Sequence, residues 1–224
     1  MARTLSIIDL GIAPYQSVWD LQKKLQKERI AGEIDDTLIL VEHPPVFTIG
    51  KTGKRKDIVG DDLFFQRTGI EVIETDRGGQ VTYHGPGQIV GYPILDLKKH
   101  QPNITWYMRQ LEEVLIQTLA DFHIVAGRIQ QYTGVWVGEK KIASLGVRMS
   151  RFVTMHGFCL NVASNLSHYA GIVPCGISHL GVTSFQELIT PAPTLAEVKT
   201  RVTFNFSQTF AFTSIKTVDF KALG

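Results

Sequence analysis

From Tyr15 to Gly32, the apolar residues Val18, Leu21, Leu25 and Ile30 recur near one stripe of a 3.6-residue helix, and Gly32 stands where a C-cap belongs. The same period predicts a longer helix over 103–122: Asn103 is its N-cap, and Ile104, Met108, Leu111, Leu115, Leu119 and Phe122 form its buried face. Thr194 and Glu197 have the spacing of a capping box and open a further helix near the C-terminus. Strands are predicted at 5–9, 37–43, 46–50, 71–75, 80–84, 89–97 and 152–162, with Pro44-Pro45 interrupting any continuous ladder. The segment 133–150 reads as a hairpin turning at Gly138-Glu139. Hairpin-linked strands with helices between groups predict an α+β fold, not a doubly wound parallel sheet. With no internal repeat and no long linker, residues 1–224 are expected to form a single domain.

Composition narrows the class. Of the 224 residues 44% are hydrophobic and 20% charged, ordinary for a globular chain with a substantial core. The formal net charge of +2 argues against an extended nucleic-acid surface. No apolar run approaches the ~20 residues a membrane span needs. The opening "MARTLSIIDLG" has no long apolar stretch followed by a cleavage site, so a cytoplasmic location is expected. Two cysteines, Cys159 and Cys175, suit a reducing compartment. The absence of CxxC and HxxxH spacings disfavours a metal site, and none is expected.

Four stretches could carry chemistry. In "RGGQVTYHGPGQ" (77–88) the glycines let backbone approach a ligand, and Arg77, Tyr83 and His84 add polar groups. It is neither a GxGxxG fingerprint nor a phosphate-binding P-loop, and on glycine alone a tight β-hairpin accounts for it. In "EKKIASLGVRMS" strand alternation turns at most one of Lys140 and Lys141 inward. Pattern alone favours two solvated lysines at a hairpin tip, whereas an inward one could serve as a general acid or base. In "TMHGFCLN" (154–161) a regular strand would put Gly157, Cys159 and Asn161 on one face and His156 on the other. His156 then reads first as a hydrogen-bonded core histidine, and Cys159 as a small buried hydrophobe. The fourth is Cys175, set between Pro174 and Gly176. Packing, a disulfide, metal ligation and nucleophilic attack all stay open for it, and catalysis would need a neighbouring base or positive charge.

Together, "RGGQVTYHGPGQIVGYPILDL", "KKIASLGVRMSRFVTMHGFCLNV", "IVPCGISHLGVTS" and the upstream "LILVEHPPVFTIG" resemble the lipoyl(octanoyl) transferase family, over about residues 37–188. The resemblance implies a biotin/lipoate protein ligase-like α+β fold with mixed, mostly antiparallel sheets flanked by helices. It implies a catalytic pair, with Cys175 as the acyl-thioester nucleophile and Lys141, which precedes the Ile-Ala step, as general acid and base. It also implies an acyl pocket drawn from Arg77, Gly78, Gly79, Tyr83, His84, Gly85, Ser144, Leu145, Gly146, Thr154, His156 and Gly157. His179 departs from the pattern, since many relatives carry an acidic residue there.

The expected reaction moves an octanoyl group from octanoylated acyl carrier protein, through Cys175, to the target lysine of apo lipoyl domains. Those domains belong to the E2 subunits of 2-oxoacid dehydrogenases and the H protein of glycine cleavage. Because the thioester is already activated, no cofactor is expected. The rival on the same fold is an ATP-dependent ligase, whose Arg-Arg-x-x-Gly-Gly-Gly pattern is replaced here by "DRGGQVTYHGPGQ". A carrier-binding module without turnover is the non-enzymatic rival.

Overall fold

Strand β1 (Thr4–Ile12) leads into helix α1 (Tyr15–Ala31), which ends as its sequence dictates, with Gly32 in the left-handed conformation at φ 80°. The computed structural model describes residues 3–173 and 181–219. Strands β2 (Asp36–Glu42) and β3 (Val46–Ile49) are separated at Pro44-Pro45. Then follow helix α2 (Asp62–Thr68) and strands β4 (Glu71–Glu74), β5 (Val81–His84) and β6 (Gln88–Ile94). Helix α3 (Ile104–Ala120) opens where expected, the Asn103 side chain accepting from the Trp106 N–H at 2.9 Å. Strands β7 (Gly127–Ile129), β8 (Tyr132–Val137), β9 (Lys140–Ser150) and β10 (Val153–Asn161) complete the central region. Helices α4 (Phe185–Leu188) and α5 (Leu195–Thr209) and strand β11 (Ser214–Thr217) close the described chain. The Thr194–Glu197 capping box is present at α5.

The main sheet has the order β11-β1-β2-β6-β10-β9-β8-β7, parallel only at β11-β1 and β1-β2. A smaller sheet has the order β4-β3-β5. The fold is therefore α+β with mixed, mostly antiparallel pairing, as expected. Alternation along β2 sends Leu38 and Leu40 to a core with Leu111, Leu115 and Phe206 of α3 and α5. It sends Ile39 and Val41 to the other face, against Val18, Leu21 and Leu25 of α1. Phe47, Tyr83, Tyr169 and Ile172 form a third cluster beside the small sheet. No helix among the described residues is long and apolar enough to cross a membrane.

Four elements were not predicted: α2, β7, α4 and β11. Each is too short to show a period, with α2 resting on its Asp61 cap and the left-handed Gly69. The regular-strand expectation for β10 also fails at one residue. His156 has φ 59°, which turns its ring toward Trp19 and Tyr92, on the side where Met155 and Cys159 also pack.

Candidate active site

A cavity of about 550 Å³ opens among the loop before β5, the start of β9, the middle of β10 and strand β6. Its walls include Val81, Val90, Met108, Trp136, Leu145, Val147, Phe158 and Val182, and its polar groups include Arg77, His84, Lys141, Ser144 and His156. This mix of apolar wall and few polar groups suits an acyl chain carrying one reactive end.

The Gly138 turn places Lys140 and Lys141 on opposite faces of β9. Lys140 is exposed, whereas Lys141 is buried with its Nζ 4.8 Å from the centroid of the Trp136 ring. Strand alternation alone leaves open which lysine, if either, turns inward, whereas the family resemblance selects Lys141. The main chain of Lys141 is clamped to the segment that follows residues 174–180. Its N–H donates to the Gly181 carbonyl at 2.9 Å, and its carbonyl accepts from the Thr183 N–H at 3.0 Å. Cys175, Gly176 and His179 lie outside the described residues.

Arg77 is buried and reaches from the loop to β3: Nε and Nη2 donate to the Thr48 hydroxyl, and Nη2 also donates to the Thr48 carbonyl at 2.6 Å. Gly78 donates its N–H to the Val147 carbonyl at 2.9 Å, so that amide is already committed and does not serve an oxyanion. A Cβ at Gly146 would sit 2.7 Å from the Gly78 carbonyl oxygen, so only glycine lets β9 lie this close to the loop.

His84 donates through Nδ1 to Gln88 Oε1 at 2.8 Å, and the Gln88 amide donates to Asn161 Oδ1 at 2.8 Å. Burial, with His43 and Arg77 nearby, holds the His84 imidazole well below its ordinary pKa and therefore neutral. His156 lies on the cavity wall, and its Nε2 donates to Asp76 Oδ1 at 2.7 Å while Arg148 pairs with the other oxygen. Burial outweighs the Asp76 carboxylate and pushes the His156 pKa down to about 4. Both histidines are therefore neutral hydrogen-bonding groups near pH 7. Cys159 reaches the cavity too, but burial pushes its thiol up to about 11.

Of the twelve pocket residues expected from sequence, nine line the cavity: Arg77, Gly78, Gly79, His84, Ser144, Leu145, Gly146, His156 and Gly157. Tyr83, Gly85 and Thr154 do not. Tyr83 packs edge-on against Phe47 and Tyr169, with its hydroxyl 2.8 Å from His168 Nδ1. Gly85 makes room for that phenol, since a Cβ there would fall 1.8 Å from the Tyr83 hydroxyl. Thr154 mends the ladder beside Pro93, which has no N–H to give. Its hydroxyl donates to the Pro93 carbonyl at 2.7 Å and accepts from the Leu95 N–H at 2.9 Å.

Sequence reasoning missed Tyr15, Tyr92, Trp136 and Met108 as wall residues. It also missed His43, whose ring bridges the Ala13 carbonyl and the Tyr92 hydroxyl behind that wall. The one available signal was a histidine before Pro44-Pro45 in an otherwise apolar strand. Among the described residues no cluster of three His, Cys, Asp or Glu could hold a metal.

Residues 14–207 match the model of the lipoyl protein ligase A/B catalytic domain. The octanoyltransferase of Alkaliphilus metalliredigens is 44% identical over 216 residues, covering 96% of this chain and 99% of that protein. That of Solibacter usitatus is 47% identical over 210 residues, 94% of each chain. Among solved structures, a bi-partite lipoate protein ligase of Thermoplasma acidophilum matches with a TM-score of 0.74 at 19% identity, over 98% of this chain and 86% of that one. The biotin protein ligase of Aquifex aeolicus matches at 0.53 and 14% identity, over 94% and 70%. At such identities the structures speak for the fold alone, whereas the sequence matches reach further: the chain is an acyltransferase and belongs to the octanoyltransferases of the lipoyl protein ligase A/B catalytic-domain family.

Proposed function

We propose that the chain moves an octanoyl group from the thioester of an acyl carrier protein to the target lysine of apo lipoyl domains, through an acyl-enzyme on Cys175. The observation that carries this reading is Lys141, a lysine turned into an apolar cavity while its neighbour Lys140 faces water. Lys141 acts as the general base and takes the Cys175 proton as the sulfur attacks the thioester carbonyl. The carrier's C–S bond breaks and the departing thiolate takes that proton. The acceptor lysine then gives a proton to Lys141, and its amine attacks the Cys175 thioester. An amide forms, and Cys175 leaves as a thiolate that is reprotonated. Thioester exchange is nearly balanced in energy, whereas amide formation draws the sequence forward. Twelve residues, 77–79, 83–85, 144–146, 154, 156 and 157, were expected at the acyl pocket, and the nine on the cavity wall are the ones we assign to it. The acceptors are E2 subunits of 2-oxoacid dehydrogenases and the glycine cleavage H protein, and the reaction is cytoplasmic.

The test is intact-protein mass spectrometry after mixing with octanoylated carrier. Wild type should gain one octanoyl group, and Cys175→Ala or Cys175→Ser should gain none. Lys141→Ala should keep its fold and slow both half-reactions by roughly 10²–10⁴-fold. Modification of an apo lipoyl domain from free octanoate and ATP, without the carrier, would instead assign a ligase.

A further inference from the structure

Residues 51–60 form a ribbon that starts at the glycine loop of the cavity wall. At one end the Lys51 and Thr52 N–H groups donate to the Arg77 and Gly79 carbonyls at 2.9 and 3.2 Å, fastening the ribbon to the glycine loop on the cavity wall. At the other end the Asp57 carbonyl accepts from the Val173 N–H at 2.8 Å, and Ile58 bridges Ile172. The ribbon thus joins the glycine loop to the last described residue before Cys175. Within six positions it carries Lys51, Lys54, Arg55 and Lys56, all exposed, and none is ion-paired among the described residues. Within 51–60 the one acid is Asp57, which accepts from the Lys54 N–H, so cations outnumber acids there four to one; Asp61 and Asp62 follow the ribbon. Beside the cations, Val59 and Leu63 are exposed by 54% and 56%.

An excess of exposed cations with an aliphatic flank beside the glycine loop matches an acidic, partly apolar protein face. We infer that the 51–60 ribbon is the docking surface of the acyl donor, receiving an acidic carrier protein and the phosphodiester of its thioester arm. This rests on the carrier-thioester reading above. The acceptor presents a lysine ammonium to the same cavity, which these cations repel, so the charge favours the donor over the acceptor. The ribbon holds the carrier while the thioester reaches past Gly78 and Gly79 into the cavity.

The experiment follows Cys175 acylation in single turnovers, from octanoylated carrier protein and from octanoyl-pantetheine, a thioester without a protein or a phosphate. A third arm follows discharge of the acyl-enzyme to an apo lipoyl domain. For wild type, raising salt from about 0.05 to about 0.5 M should slow loading from the carrier by tenfold or more and leave loading from octanoyl-pantetheine within about twofold. In Lys54→Glu/Arg55→Glu/Lys56→Glu, and more weakly in the triple Gln variant, carrier loading at low salt should fall about tenfold or more, with the small thioester again unaffected. Salt-independent carrier loading of wild type overturns the inference, as does a variant defect confined to the discharge arm. If wild-type Cys175 is acylated by neither thioester, the acyl-enzyme reading itself fails, a result distinct from either.

Discussion

Asn161 and Thr183 tie the two sides of the site together: the Asn161 side-chain N–H donates to the Thr183 carbonyl at 3.0 Å, and the Thr183 N–H donates to the Lys141 carbonyl at 3.0 Å. Asn161 is itself held by the Gln88 amide, and all four residues are buried. Asn161→Leu strips both neighbours of a partner at once. A buried polar group left unsatisfied costs about 1–3 kcal/mol, so the variant should melt several degrees lower. Octanoyl transfer per folded molecule should fall as well, because the anchor beside Lys141 is loosened. An unchanged melting temperature would show that these bonds are not needed to hold the site.

Gly134 fixes the other side of Lys141. Its φ is 135°, a conformation that side chains rarely adopt, and a Cβ there would lie 2.7 Å from the Ala143 carbonyl and 3.2 Å from Lys141 Cε. Its N–H is held by the buried Glu112 carboxylate at 3.3 Å, so the backbone has little room to yield. Gly134→Ala should displace the Lys141 side chain and slow Cys175 acylation by about 10²-fold, the usual cost of a misplaced catalytic group. Rapid-quench acylation set beside a thermal melt separates this effect from simple destabilisation, and acylation at the wild-type rate would refute it.

Periodicity found the long elements because α1, α3 and the sheet strands each bury one face, and burial is what writes a period into sequence. It did not find α2, which spans seven residues and is held by caps at Asp61 and Gly69. The choice between Lys140 and Lys141 was legible only as an alternation, since a strand period says that two neighbours differ without saying which one is inside. Family resemblance supplied that choice, and burial of Lys141 agrees with it. Resemblance overreached at Tyr83, Gly85 and Thr154, where the motif residues support the walls from behind. The wall itself comes partly from Tyr15, Met108 and Trp136, far apart in the chain and brought together only by tertiary packing.

Stability should depend on pH through histidines that the fold keeps neutral. Burial pushes His43 and His156 down to about 4 from 6.5 and lowers His84 well below 6.5. Between about pH 4 and 6.5 the unfolded chain therefore binds protons that the native chain refuses, so stability rises with pH across that window and is lost as pH falls through it. For His43 alone the full effect is on the order of 3 kcal/mol. Chemical denaturation at a series of pH values should show the slope, and His43→Gln should flatten it. A stability constant from pH 6.5 to 4 would mean that these groups protonate without unfolding.

Cys159 provides the sharpest check on which thiol reacts, because it lines the same cavity as Lys141. Burial sets its pKa at about 11, so at pH 7 its thiolate fraction is on the order of 10⁻⁴. A thiol so protonated is a poor nucleophile, and its role is packing against Tyr92 and Met155 on the α1 side of the sheet. Cys159→Ala should therefore keep the octanoyl adduct and most of the transfer rate, whereas Cys175→Ala loses both. Brief treatment of the native protein with iodoacetamide, read by peptide mass spectrometry, should label Cys175 and spare Cys159 until denaturant is added. An octanoyl adduct mapped to Cys159 in the otherwise unmodified enzyme would reverse the assignment.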